Sequence, residues 1–84
     1  MRRNDLDICA DILKVSKAGA KKTHIVYKAN LNFKIVKKYL NRLINNGYLL
    51  DGSDSGVFIT TDRGSDFLEQ YARLTIPLAP IAID

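Results

Sequence analysis

Residues 23–47 read THIVYKANLNFKIVKKYLNRLINNG. Two helical patterns lie in this stretch, separated by Asn30-Leu31-Asn32. The later pattern is the clearer. Phe33, Val36, Leu40, Leu43 and Ile44 recur at the spacing of one buried helical stripe. The opposite side of that wheel carries Lys34, Lys38, Asn41, Arg42 and Asn45, with Ile35 near it. Asn45-Asn46-Gly47 stops the helix, because glycine takes positive φ at no steric cost. The earlier pattern is short, about His24 to Ala29, with Thr23 as its expected N-cap and Ile25, Val26 and Ala29 as its apolar side. Asn30 and Asn32 shape the turn, and Asn32 is placed to cap the later helix.

Upstream, Ile8, Cys9, Ile12 and Leu13 share a face of a helix expected from about Asp5 to Lys17. Asn4 or Asp5 caps it, and Asp5 and Asp7 suit the positive end of its dipole. Ala18-Gly19-Ala20 breaks the pattern. Downstream, Tyr48-Leu49-Leu50 and Val57-Phe58-Ile59-Thr60 read as two short strands joined by the turn-rich residues 51–56. Thr61 then caps a fourth helix, with Asp62 in its first turn and Phe67, Leu68, Tyr71 and Leu74 as its apolar face. Gly64 stands where a full capping box has Glu or Gln. Residues 75–84 form an apolar tail whose Pro77 and Pro80 stop a regular helix. Residues 1–74 are thus the expected domain. The fold class is α+β, mostly α: three helices, a two-stranded hairpin wing and a fourth helix. The tight turn between the second and third helices makes them a helix-turn-helix.

The 84 residues suffice for one domain with a modest core. Apolar residues make up 46 % and charged residues 26 %, ordinary values for a soluble globular chain. No apolar run approaches the length of a membrane span, and Met1-Arg2-Arg3-Asn4-Asp5 does not open a secretory signal. Cys9 is the single cysteine and His24 the single histidine, so neither an internal disulfide nor a structural zinc site can form. The expected location is the cytoplasm, without cofactor, metal or small-molecule substrate.

Charge is segregated. From Ile12 to Leu50 there is no acid, while Lys14, Lys17, Lys21, Lys22, Lys28, Lys34, Lys37, Lys38 and Arg42 give that stretch +9 of a chain whose net charge is +4. A solvated surface usually mixes both signs; a segregated field suits a polyanion. In a helix-turn-helix the later helix enters the major groove of B-DNA while the earlier one braces on the backbone. Lys and Arg neutralise phosphates or reach guanine, and Asn pairs with an adenine edge. The expected DNA-binding residues are Lys21, Lys22, Asn32, Lys34, Lys38, Asn41, Arg42 and Asn45. Lys21 and Lys22 enter because a helix N-terminus can hold a phosphate. Lys37 lies closer to the core edge and only adds to the field.

Lys22-Thr23-His24-Ile25, then Tyr27-Lys28-Ala29-Asn30-Leu31-Asn32-Phe33, then Tyr39-Leu40 and Asn46-Gly47-Tyr48-Leu49 resemble the small archaeal winged-helix proteins. These include predicted transcriptional regulators and a chromatin-associated dimeric DNA binder. Thr61-Asp62-Arg63-Gly64 with Phe67-Leu68 resembles the start of their last helix. The resemblance spans roughly residues 5 to 74 and implies a winged-helix fold, double-stranded DNA as partner, and a homodimer built through the C-terminal region. Three features depart from it. Thr60 stands where the family usually has an aliphatic residue. The wing carries Asp51 and Asp54 and no Lys or Arg. A Pro-containing tail stands where the chromatin-associated relatives have a long coiled-coil helix.

Other residues have plainer readings. Cys9 is a small core residue, Tyr27 and Tyr39 pack, and His24 is exposed or partly packed. Gly52 to Gly56 encloses Asp54 rather than a nucleophile, so no catalytic elbow forms, and the Asp62/Asp66 pair fits the start of a helix. No enzyme is expected. The alternative function is a protein–protein interaction module on the same scaffold, which the acidic wing keeps open; RNA binding is a third. Ile76, Leu78, Ile81 and Ile83 are expected to pack rather than stay wet, within the domain or across a dimer.

Overall fold

Asn4 starts the fold. Its Oδ1 accepts from the Asp7 backbone N–H at 2.8 Å, and Asp7 Oδ2 accepts from the Asn4 N–H at 3.3 Å, a reciprocal capping box. A computed structural model describes residues 4–75. Its elements are α1 (Asp5–Val15), α2 (Lys22–Ala29), α3 (Phe33–Asn45), β1 (Leu49–Leu50), β2 (Ile59–Thr60) and α4 (Asp62–Thr75). The expected α+β winged arrangement is present. The tail residues Ile76, Leu78, Ile81 and Ile83 lie outside the described residues.

α1 ends two residues earlier than the sequence pattern suggests, because the chain is drawn into the sheet. Ser16 closes the helix with its N–H on the Ile12 carbonyl, and its own carbonyl accepts from Gly19 and Thr60. Gly19, at φ +99°, turns the chain so that Ala20 bridges Phe58 in both directions, at 2.9 and 2.8 Å. This third short edge on the hairpin was not expected from sequence. It also corrects the start of α2. Ala20 is held extended against Phe58, so the backbone stays extended through Lys21 and turns helical at Lys22. Lys21 is therefore the N-cap, without a side-chain bond, and Thr23 lies inside the first turn rather than capping it.

The turn matches its reading. Asn30 sits in the left-handed region at φ 56°, and Asn32 Oδ1 accepts from the Ile35 N–H at 2.8 Å. α3 buries Val36, Tyr39, Leu40 and Leu43. Phe33, placed in the stripe by spacing, is 52 % exposed, since the first residue of the helix projects beyond the core. Tyr39 fills the buried side instead. Tyr27 does not pack as expected; it is 78 % exposed on the outer side of α2.

β1 and β2 pair antiparallel, Leu49 with Thr60 and Leu50 with Ile59. Leu49 and Thr60 face the core, and Leu50 and Ile59 face out. The buried Thr60 hydroxyl donates to the Leu13 carbonyl at 2.7 Å, serving an acceptor that the end of α1 leaves open. Thr61 caps α4 as expected. Its Oγ1 accepts from the Gly64 N–H at 3.1 Å and donates to the Gly47 carbonyl at 2.6 Å. Glycine is required at 64, because a Cβ there would lie 2.2 Å from the Tyr48 carbonyl oxygen. That close approach explains why the acidic half of a capping box is missing.

α1 is the hub, packed against α2, α4 and β2. Ile12, Leu13, Ile25 and Val36 are fully buried at the centre, with Leu40, Leu43, Leu49, Phe58 and Leu68 around them. Each such side chain contributes roughly 1.5–3 kcal/mol on burial. Cys9 belongs to this core, and burial pushes its thiol above the ordinary range.

Candidate nucleic-acid interface

α3 turns about 100° per residue. Lys34, Lys38, Asn41 and Asn45 therefore fall within roughly 60° of one another, directly opposite the buried Val36, Tyr39, Leu40 and Leu43. All four are exposed. Lys34, Lys37 and Lys38 form no ion pair with any described residue, so their charge is available to a polyanion.

The groove beside this line is lined by Lys22, Lys37, Asn41, Asn45, Asp51 and Phe58, among others, and holds about 230 Å³. It joins the start of α2, the flank of α3 and the root of the wing. Lys22 Nζ lies 5.9 Å from the Phe33 ring centroid. Sequence reasoning gave Lys37 only a share in the field; the fold brings it into the same groove as Lys22 and Asn41. Its wheel position next to Asn41 was the available signal. Lys21 is exposed at the head of α2.

Two of the eight expected residues are engaged elsewhere. Asn32 uses its Oδ1 as the α3 cap. Arg42 lies on the α1 flank of the helix, with Nη1 at 3.5 Å from Asp5 Oδ2 and its guanidinium 5.5 Å from the Tyr39 ring centroid. Asp5 is the prop for α3. Tyr39 donates its hydroxyl to Asp5 Oδ1 at 2.5 Å, and this bond, helped by Arg42 and Lys38, holds the Asp5 carboxyl below its usual range. The same bond raises Tyr39 above its usual range. Asp7 does likewise for α4, accepting from the Tyr71 hydroxyl and raising it. Sequence reasoning placed both acids at the positive end of the α1 dipole, with Asp5 as an alternative cap to Asn4; their tyrosine partners are too distant in the chain to be seen there.

The wing is acidic in fact as in sequence. Asp51 Oδ1 accepts from the Ser53 hydroxyl at 2.6 Å and the Ser53 N–H at 2.9 Å, which lowers its pKa and keeps it charged. It faces the same groove as Lys22 and Lys37. His24 is exposed on α2, beside Thr23 and Tyr27. Among the described residues no group of His, Cys, Asp or Glu could hold a metal ion, and no helix is long and apolar enough to cross a membrane.

A helix-turn-helix whose second helix shows a basic, amide-rich face, flanked by a hairpin and closed by a fourth helix, defines a winged-helix domain. The chain belongs to the Winged helix-turn-helix family, which matches residues 2–76. It is 34 % identical over 71 residues to the uncharacterized protein MJ0290 of Methanocaldococcus jannaschii, an alignment covering 83 % of this chain and 33 % of that protein. It is 37 % identical over 49 residues to MJ0287 of the same organism, covering 57 % of this chain and 50 % of that one. The chain thus spans between a third and a half of the length of these relatives. Among solved structures it resembles Sso10a-2, a DNA-binding protein from Sulfolobus solfataricus, with a TM-score of 0.79 at 22 % identity over 95 % of this chain and 90 % of that one.

Proposed function

We propose that the chain binds double-stranded DNA through α3, as a transcriptional regulator or nucleoid-associated protein. The observation that carries this is the outward line of α3, which holds only Lys and Asn on the second helix of a helix-turn-helix. Lys34, Lys38, Asn41 and Asn45 enter the major groove, where the amides address base edges. Lys21, Lys22 and Lys37 lie toward phosphates at its rim. Arg42 reaches the backbone only by leaving Asp5, and Asn32 positions the helix rather than reading DNA. The DNA binding of Sso10a-2, a relative in fold, agrees with this reading.

The wing does not grip the backbone, because Asp51 and Asp54 repel phosphate. That feature favours a second reading, a protein-interaction module whose partner meets the wing. Fluorescence-anisotropy titration with duplex DNA across a salt series, with structured RNA as competitor, separates the readings. Tight duplex binding that falls steeply with salt is expected. Absence of binding at low salt overturns the proposal and leaves the interaction module.

A further inference from the structure

The first turn of α3 carries two large apolar side chains that the fold leaves in solvent. Phe33 is 52 % exposed and Ile35 39 %. Single exposed apolar residues are common on protein surfaces. What sets this pair apart is its place, at the head of the second helix of the helix-turn-helix and on either side of Lys34. At about 100° per residue the two project from opposite flanks, each about 100° from Lys34, and they lie only about 3 Å apart along the axis. Helical side chains lean toward the N-terminus, so both reach past the start of the helix. The same turn is fixed from two sides. Asn32 Oδ1 accepts from the Ile35 N–H at 2.8 Å, and Lys22 Nζ stands 5.9 Å from the centre of the Phe33 ring.

In a helix-turn-helix the first residues of the later helix are those that meet base edges. The apolar group that base pairs present in the major groove is the thymine 5-methyl, and Phe is among the side chains that pack on it. The rest of the α3 face points to the same base pair. Asn41 and Asn45 are exposed and carry amides, which match the N6/N7 edge of adenine. Guanine is matched best by a planar guanidinium. The one arginine of α3, Arg42, lies on the α1 flank with Nη1 3.5 Å from Asp5 Oδ2. Lys34 and Lys38 are compact charges that a phosphate satisfies as well as guanine does.

Given DNA binding through α3, on which this inference rests, we propose that Phe33 and Ile35 read thymine methyl groups and, with Asn41 and Asn45, make the domain selective for A·T-rich duplex DNA. Their opposite flanks face the two strands of the groove, so each side chain addresses thymines of one strand. Replacing thymine by uracil removes the methyl and leaves every hydrogen-bonding group of the pair in place. Each methyl lost from such a contact lowers affinity by about fourfold.

The test compares three hairpin duplexes of equal length by fluorescence anisotropy with the full chain at one salt concentration. One is built of A·T pairs, one has every dT of that duplex replaced by dU, and one is built of G·C pairs. The A·T duplex should bind tightest, the uracil duplex about four- to fifteenfold more weakly, and the G·C duplex at least about fivefold more weakly. Phe33→Ala/Ile35→Ala, which alters no buried residue and should keep the helical circular dichroism, should bind the thymine and uracil duplexes alike. Each single variant should keep about a fourfold preference. A change that uracil makes to the duplex itself would instead weaken the parent and the variants equally. Equal affinity of the parent for thymine and uracil duplexes, a preference that survives the double substitution, or G·C bound as tightly as A·T overturns the methyl reading and leaves DNA binding through α3 standing. No binding to any of the three at low salt overturns the DNA-binding role of α3, and the methyl reading with it.

Discussion

Replacing Thr60 by Val tests how β2 is locked to α1. The Thr60 hydroxyl is buried and donates to the Leu13 carbonyl at 2.7 Å, where α1 has run out of backbone donors. Valine keeps the β-branched shape and removes only the donor. A buried carbonyl left without a partner costs about 1–3 kcal/mol. The methyl that replaces the hydroxyl returns about 0.5–0.8 kcal/mol of apolar burial. The net is a loss of about 0.2–2.5 kcal/mol, centred at roughly 1.4, and for a domain of this size each kcal/mol lowers Tm by roughly 4–8 °C. Thermal and urea melts followed by circular dichroism should therefore place Thr60→Val roughly 5–15 °C below the parent chain. Thr60→Ser, which keeps the hydroxyl and loses one methyl, should fall by about 0.8 kcal/mol and lie between the two. The result that would refute the reasoning is a valine variant as stable as the parent or more so. It would mean that an aliphatic side chain serves equally well here and that the Leu13 carbonyl finds water or another donor.

Stability against pH has two limbs. Asp5 has a lowered pKa in the fold, so its contribution is present above about pH 4 and lost as pH falls through the folded value. Tyr39 and Tyr71 are raised, so theirs is present below about pH 10 and lost as pH rises through their folded values. Urea melts across pH should show Asp5→Asn flattening the acid limb, and Tyr39→Phe with Tyr71→Phe flattening the alkaline one. In DNA titrations Lys38→Ala should weaken binding and reduce the salt slope by roughly 0.9, while Arg42→Ala, already engaged by Asp5, should change the slope less. Equal slopes for Lys38→Ala and the parent would remove α3 from the interface. Asp51→Ala should tighten binding at low salt; unchanged affinity would place the wing away from the backbone.

Much of this molecule could be read from local patterns. The stripe of α3, the turn at Asn30 and Asn32, the Asn32 and Thr61 caps, the pairing of two short strands and the exposed Lys34–Asn45 line all depend on residues within a few positions of one another. Backbone geometry and short-range hydrogen bonds determine such features wherever the segment sits. The same locality explains why Phe33 was misplaced: spacing assigns a residue to a face but does not say how far the core extends along it.

What tertiary structure alone decided involves partners far apart in the chain. The bond from Tyr39 to Asp5 spans 34 positions and that from Tyr71 to Asp7 spans 64. These ties turn two acids that looked like helix-dipole residues into props for α3 and α4. They also keep Arg42 at the flank. The Ala20–Phe58 bridge moved the start of α2 to Lys22, overriding the capping preference of Thr23, because a backbone already committed to an extended pairing cannot also turn at the residue its side chain favours. The groove that gathers Lys22, Lys37, Asn41 and Asp51 exists only when the wing root closes beside α3. The sequence carries the charges; chain folding decides which of them share a surface, since proximity in space is set by packing and not by order along the chain.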